Sequence, residues 1–510
     1  MRSSQILRTC FWLLIGAAAL KGGYHLAAQA WFFLEGAHAG DAKYYWTVGR
    51  AMLNGFDLYT ETFDTKPPAI YLLSAVSLKL FGSPVLGYWI NALIVVSIPA
   101  MFGIAAYRMS GHRFIVILSV LFGALLTLFA AFHSEGWQVE WYGAFFGIAY
   151  VLLLASNLKW KPKTLALLSL CIFGAIGFKE PFFLALLAVA LLMLPTKVSF
   201  SRKFVMPTVI VAVVGVVALF AFGYAGGYFS VYLPSNTGGH IARSTPLWQR
   251  GFLVDLLGTN LWEFSVVFFV LMTLLFGAVL YWSRSKGRLR IVAVASALYL
   301  TVLASHFRGY PAANHFVVAV PFYAALFMIF LQKEVSNWTG KPSRLGALVA
   351  VCICVTVLAL PFSSGVRASP DVPNNQSVAD AIDAALDACD VDRYFFLEDK
   401  PYMHLTQHSP LNFFVYTGPE SIVYHGPLLS RRQVDSFTQA QIAIIQGDLY
   451  EIQQRPEEKL LSELTSQFLT EHFSKQPPEC AASLPSPEGY TVLFRKDIDS
   501  VTPFEKVRFK

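Results

Sequence analysis

The sequence predicts a mainly α, polytopic membrane protein of about eleven transmembrane helices, with interfacial helices in the first outer loop and a small C-terminal α/β domain. Three observations predict it. The 510 residues are 55% hydrophobic and only 14% charged, with a mean hydropathy of +0.52, too apolar for a soluble protein of this size. Apolar stretches long enough to cross a ~30 Å hydrocarbon core recur from residue 9 to residue 363. Lys and Arg gather in alternate connections between those stretches, as they do on the cytoplasmic side of a membrane.

The stretches are 9–33, 84–107, 113–132, 138–157, 163–178, 180–195, 204–226, 259–282, 289–305, 311–331 and 345–363. Arg2 and Arg8 resemble the basic start of a signal peptide, but the first stretch runs past Lys21 to Phe33 without a clean small-residue cleavage site, so it is read as a retained helix. Lys21 near its middle is costly and by default functional, unless the helix sits higher and the side chain snorkels. Trp31, Trp89, Trp137, Trp141, Trp262 and Trp282 fall near span ends and read as an aromatic belt.

With the N-terminus inside, the inner connections hold Arg2 and Arg8, Arg108 and Arg113, Lys159 to Lys163, Lys197 to Lys203, Arg284 to Arg290, and Lys333 to Arg344, against one acidic residue, Glu334. The segments 34–83 and 227–258 and the tail are then outside. The net charge of +7 belongs to this inner basic skirt and is no sign of nucleic acid binding.

Composition changes after Pro361, where a Ser-, Pro- and Asn-rich linker opens a soluble tail. The expected domains are 1–363, in the membrane, and 364–510, a periplasmic α/β unit. Within the tail, 377–389 and 457–473 have helical spacing, whereas 394–397, 442–445 and 490–495 read as strands. Cys10, Cys171, Cys352 and Cys354 fall in spans as small hydrophobes. Cys389 and Cys480 share the exported tail, where a disulfide and two free thiols are both open.

The first outer loop carries two helical stretches, 41–54 and 67–81, too short or too polar to span. In the first, Tyr45, Val48, Met52 and Phe56 form one apolar stripe, with Arg50 off it, suited to lying along the interface. The second has Thr65 as N-cap and Pro67 and Pro68 in its first turn. Asp41, at the start of the first helix, is the catalytic candidate, although an Asp there also serves as a helix cap. Lys66 is the phosphate-binding candidate, its backbone fixed by the two prolines beside it.

The ordered pattern Asp41-x-x-Tyr44-Tyr45, Gly55, Leu58-Tyr59, Lys66-Pro67-Pro68-x-x-Tyr71 and Phe81-Gly82 resembles the first outer loop of the C-type glycosyltransferases. The branch it resembles holds lipid A aminoarabinose transferases, rhizobial lipopolysaccharide sugar transferases and protein O-mannosyltransferases. The resemblance covers residues 1–363 and implies a polyprenyl-phosphate sugar as donor. It also implies Asp41 as catalytic base or acceptor-orienting group, and Lys66 at the donor phosphate. His306 to Pro311 and Asn314 to Phe316 resemble a segment that carries basic groups towards the phosphate, which adds Arg308 and His315. Glu140 resembles an acidic position at the same span end in relatives.

The chemistry points the same way. A lipid-linked donor keeps its cleavable bond at the interface, where these loops lie. A phosphate leaving group needs cations rather than a strong acid, and Lys66, Arg308, His315 and Arg243 are on the outer side. A transition state with oxocarbenium character lets one carboxylate of ordinary pKa serve as base, and a single prominent acid implies inversion. Tyr44, Tyr45, Glu140, Lys179, Glu180, His240 and Arg243 are candidate acceptor or sugar contacts. Lys179 and Glu180 also read as a local ion pair on a helical hairpin, and His240 and Arg243 as a solvated surface or a lid.

The expected activity is transfer of a hexose or pentose to lipopolysaccharide, lipid A, polysaccharide or protein at the periplasmic face of a bacterial inner membrane. The alternatives are a lipid or glycan transporter, which would need polar groups along a mid-depth path, and a non-catalytic envelope scaffold. No nucleotide-binding motif or zinc spacing is present. Asp41, Glu140 and a nearby His could hold a divalent metal, but their spacing is no metal signature, and no other cofactor is expected.

Overall fold

The computed structural model describes residues 2–34, 41–133, 138–156, 159–194, 196–236, 262–305, 313–360, 376–391, 394–397, 406–408, 440–446, 469–482 and 490–496. The apolar stretches become helices in chain order. They are α1 (Arg2–Leu34), α2 (Asp41–Leu53), α3 (Pro68–Phe81), α4 (Val85–Ser110), α5 (Arg113–His133), α6 (Val139–Ala155), α7 (Pro162–Phe178) and α8 (Phe182–Met193). There follow α9 (Lys197–Phe200), which runs through a π-helical turn into α10 (Met206–Ala221), and the short α11 (Ala225–Gly227) with a second π-helical turn at Tyr228–Tyr232. The bundle closes with α12 (Trp262–Arg284), α13 (Arg288–Ser305), α14 (Val320–Ser336) and α15 (Arg344–Ala359).

Among the described residues, six helices are long and apolar enough to cross a membrane: Gln5–Leu34, Val85–Ser110, Arg113–Ala131, Lys197–Ala221, Arg288–Ser305 and His315–Ser336. Four of the other five predicted stretches are also apolar helices, but shorter, as at Val139–Ala155, Phe182–Met193 and Arg344–Ala359, and the fifth lies in Trp262–Arg284, with Val270–Arg284 as its apolar described part. At about 1.5 Å per residue, helices this short leave their last carbonyls without helical partners inside or near the apolar layer. Neighbouring side chains supply the donors. Lys21 Nζ of α1 donates to the Leu358 carbonyl at the end of α15 at 2.6 Å. Gln332 Nε2 of α14 donates to Ala155 O at the end of α6 at 3.3 Å. Arg290 of α13 donates to Leu191 O and Leu192 O at the end of α8. Lys21 is therefore a helix-terminus donor, and its charge faces the negative end of the α15 dipole. Glu334 accepts from the Ser343 hydroxyl and backbone, closing the turn before α15.

Two loop expectations are corrected by the packing. α2 does not lie along the interface on one stripe, because Tyr44, Tyr45, Trp46, Thr47 and Val48 are all buried. It is clamped against α3, so closely that a Cβ on Gly49 would lie 2.8 Å from the Ala75 nitrogen. Thr65 is not the cap of α3. Pro67, extended at ψ 161°, takes that position and Pro68 opens the helix, where a missing N–H leaves no bond unmade. Of the expected belt, Trp31 and Trp89 are exposed, whereas Trp141 is fully buried.

In the tail, α16 (Gln376–Ala388) and four strands are described: β1 (Tyr394–Leu397), β2 (Ile442–Gln446), β3 (Phe473–Ser474) and β4 (Tyr490–Arg495). They form one sheet in the order β1-β2-β4-β3, with β1 parallel to β2 and the other pairs antiparallel. The expected helix over 457–473 lies mostly outside the described residues. Cys389 and Cys480 are joined by a disulfide, with Cα atoms 5.2 Å apart. The tail packs on the end of α2: Arg50 donates to Gln407 Oε1 at 3.2 Å, Asn54 donates to Gln407 O at 3.1 Å, and Phe56 packs against the apolar cluster that includes Phe395, Leu469, Phe473 and Leu493.

Candidate functional site

The segment between α2 and α3 is folded by its own hydrogen bonds. After Gly55, at φ 89°, the Asp57 carbonyl accepts from the amides of Thr60, Glu61 and Thr62, while the Asp57 amide donates to Glu61 Oε2 at 2.7 Å. This turn drives Tyr59 into the left-handed region, at φ 69°, where a bulky side chain is strained and needs support from around it. The support is a tyrosine cluster. The Tyr59 ring is fully buried, with its centroid 4.7 Å from Tyr232 and 6.0 Å from Tyr228. Gly227 lets that second segment approach, since a Cβ there would stand 2.8 Å from the Leu58 carbonyl oxygen.

The cluster grips the backbone of Lys66 from two sides. The Tyr59 hydroxyl donates to Lys66 O at 2.8 Å. The Tyr71 hydroxyl accepts from Lys66 N at 3.1 Å and donates to Asp64 Oδ2 at 3.0 Å. Asp64 also receives the Thr65 amide. Lys66 is thus anchored at both main-chain polar groups while its side chain stays partly exposed. Burial raises the Tyr59 and Tyr71 phenols well above their ordinary range, and the Glu180 and Asp64 carboxylates respectively raise them further. Both phenols stay neutral donors at any physiological pH. Tyr228, pushed up to about 12 by burial and by Glu180, also stays neutral.

Glu180 accepts from the Tyr232 hydroxyl, tying the turn between α7 and α8 to the cluster. It is not the ion-pair partner of Lys179. The Lys179 ammonium pairs with Glu140 of α6, and both side chains are buried, at 2% and 0% exposure. The sequence neighbours separate because α7 ends in extended backbone at Lys179, so Lys179 points into the bundle while Glu180 faces the loop. Tyr45 joins the same neighbourhood through its ring, 6.2 Å from that of Tyr71. Tyr44 is buried one position away on α2.

Asp41 is the first residue of α2, but its side chain lies outside the described residues, as do Arg308, His240 and Arg243. His315 lies in the 3-10 turn Ala313–Ala319, partly exposed, on a segment that packs against α5, α6 and α13. Among the described residues, no three His, Cys, Asp or Glu side chains form a group that could hold a metal ion. The expected network therefore gathers Tyr45, Lys66 and Glu180 in one place and Glu140 with Lys179 in another. Sequence reasoning assigned no role to Asp64, Tyr59, Tyr71 or Tyr232. A signal for the last was present: Tyr224, Tyr228 and Tyr232 repeat every four residues and so share one helical face.

No family model matches the chain, and no curated protein does. Among solved structures, the crystal structure of the Archaeoglobus fulgidus oligosaccharyltransferase in the apo form aligns over 89% of this chain and 71% of that one. The identity is 13% and the TM-score 0.42. At that overlap the likeness carries no weight for the activity of this chain.

Proposed function

We propose that the chain is a membrane glycosyltransferase that moves one sugar, with inversion, from a polyprenyl-phosphate carrier to an envelope acceptor at the outer face of a bacterial inner membrane. The observation that carries this reading is Lys66, held by its backbone between the Tyr59 and Tyr71 phenols on the loop that begins at Asp41. A cation whose main chain is fixed loses little freedom on meeting an anion, and this is what a phosphate leaving group requires as its charge develops. The order of Asp41, Lys66 and Tyr71 along the loop is the pattern shared with the C-type glycosyltransferases.

In the proposed step the acceptor hydroxyl attacks the anomeric carbon and passes its proton to the Asp41 carboxylate. The bond from that carbon to the phosphate oxygen breaks, and the carrier leaves as polyprenyl phosphate, its added charge met by Lys66, with Arg308 and His315 as further cations. The outer location is supported by the basic residues at the opposite ends of the spans and by the Cys389–Cys480 disulfide, a bond that persists in oxidising compartments. Transport is disfavoured by the use made of charge inside the bundle. Lys21 caps a helix end, and Glu140 and Lys179 neutralise each other.

The test is mass spectrometry of envelope glycans and lipid A from cells carrying the wild type, a deletion, Asp41→Asn or Lys66→Ala, with membrane abundance checked. One hexose- or pentose-sized mass is expected to vanish in the deletion and in both variants. Glycans unchanged by Asp41→Asn, but changed by the deletion, would make Asp41 a helix cap and remove the catalytic assignment.

A further inference from the structure

At the end of the bundle away from Lys66, three elements bring aromatic and basic residues together. α4 begins just after α3, and its 26 residues carry the chain about 40 Å from the first outer loop to the turn before α5. There the His112 ring stacks on Trp338, in the turn between α14 and α15, with centroids 5.0 Å apart. Trp338 also stacks on Phe114 of α5 at 5.9 Å. Phe114 in turn meets Phe11 and Trp12 of α1 at 6.0 and 6.3 Å. Beyond this chain of rings, α1, α5 and α15 pack on one another.

The rings fix where the charges are. Arg8 lies one turn before Phe11 and Trp12, on the same face of α1. Arg108 is in the last turn of α4, Arg113 directly precedes Phe114, and Lys341 follows shortly after Trp338. All four are exposed. Among the described residues, none of them has a carboxylate within ion-pair distance. Glu334, the acid closest to Trp338 in the sequence, is buried and accepts from Ser343 instead. Cations gathered without a counter-charge repel one another, and an anion among them relieves that cost. Membrane orientation requires only that Lys and Arg lie at these helix ends. It does not require rings from three elements to lock them together. Lys161 and Lys163, before and within the first turn of α7, carry the same exposed charge, and among the described residues no ring contact ties Trp160 beside them to another element.

We propose that this ring-held cluster of Arg8, Arg108, Arg113 and Lys341 binds the headgroup of an anionic phospholipid. Guanidinium groups take phosphate oxygens through paired N–H donors, and basic groups between membrane helices suit lipid phosphates. Trp12 is 41% exposed, as an interfacial indole is. Leu13 and Leu20 of α1, and Leu348 and Val355 of α15, are exposed on the two packed helices and offer apolar surface to acyl chains. A zwitterionic lipid brings its own ammonium, which these cations repel, and a soluble anion forgoes the apolar contacts. The inference does not rest on the transferase reading.

The experiment uses the full chain in nanodiscs of mixed phosphatidylglycerol and phosphatidylethanolamine, with native mass spectrometry of the lipid that stays bound. The wild type is expected to retain phosphatidylglycerol over phosphatidylethanolamine by about tenfold or more. Arg8→Gln with Arg113→Gln is expected to reduce that preference to about twofold or less. His112→Ala, which removes the ring stack at an exposed position, is expected to lower it as well, with the unfolding temperature unchanged. Lys161→Gln with Lys163→Gln removes the same amount of charge elsewhere and should leave it as in the wild type. Four results overturn the proposal. They are a wild type without preference, a preference that the lysine pair lowers as much as the arginine pair, a preference untouched by His112→Ala, and one lost only together with a lowered unfolding temperature. Release of the bound lipid by inorganic phosphate in the buffer would make this a site for a free anion, and overturns it too.

Discussion

At the scale of single residues, the loop is a case of polar groups used to hold one cation still. Tyr71 serves two masters, accepting the Lys66 amide and donating to Asp64. Its removal takes one hydrogen bond from each. Tyr71→Phe is expected to cost about 1–3 kcal/mol of stability and, under the proposed chemistry, to slow transfer by about a hundredfold through misplacement of Lys66. Thermal unfolding and the envelope glycan assay read the two effects separately. The tyrosines also give a pH signature. The folded chain holds the Tyr59 and Tyr71 protons above pH 10.0, where ordinary phenols release them. The stability they carry is complete below that pH and falls as pH rises beyond it. Tyrosinate absorbance followed against pH should show a fraction that ionises only on unfolding, and the fraction should shrink in Tyr59→Phe and Tyr71→Phe.

At the scale of elements, the buried pair Glu140–Lys179 couples α6 to the end of α7. Lys179→Met alone strands a buried carboxylate and is expected to cost about 3–5 kcal/mol, whereas Glu140→Leu with Lys179→Met should return to within about 1 kcal/mol of the wild type. Denaturation of the purified variants in detergent checks the cycle. Stability restored with transfer still absent would give the pair a part in substrate contact. Close approach is the other element-scale constraint. Gly49 lies so near Ala75 that a side chain cannot enter, and Gly49→Val is expected to push α2 off α3 and, under the proposed chemistry, to abolish transfer while the long spans remain inserted. Limited proteolysis of the α2–α3 segment in the purified protein reports that opening.

At the scale of the molecule, the tail is joined to the end of α2 where Gln407 meets Arg50 and Asn54. Asp383 holds Gln407 in place through the Gln407 amide at 2.8 Å, so the α16 helix and the end of α2 share one anchor. The disulfide closes a segment with a sequence separation of 91 residues, for which chain entropy gives about 4–5 kcal/mol to the tail. Cys389→Ser with Cys480→Ser is expected to make the tail the first site of limited proteolysis, with the membrane-embedded part left intact.

What the sequence alone determined is what depends on consecutive residues. Desolvation is additive along a stretch, so the positions of the apolar helices, the interruption at the first outer loop, and the strands at 394–397 and 490–495 were legible without coordinates. The two short helices from Asp41 to Phe81 were legible too, because their spacing is written in one piece. Tertiary structure decided the partners. Lys179 pairs with Glu140 instead of its neighbour Glu180, Tyr232 reaches Glu180, α2 is buried rather than interfacial, and Cys389 meets Cys480. Each outcome depends on how a helix is rotated about its axis and which other helix it packs against. A rotation of one residue, about 100°, changes every partner while leaving hydropathy and length untouched.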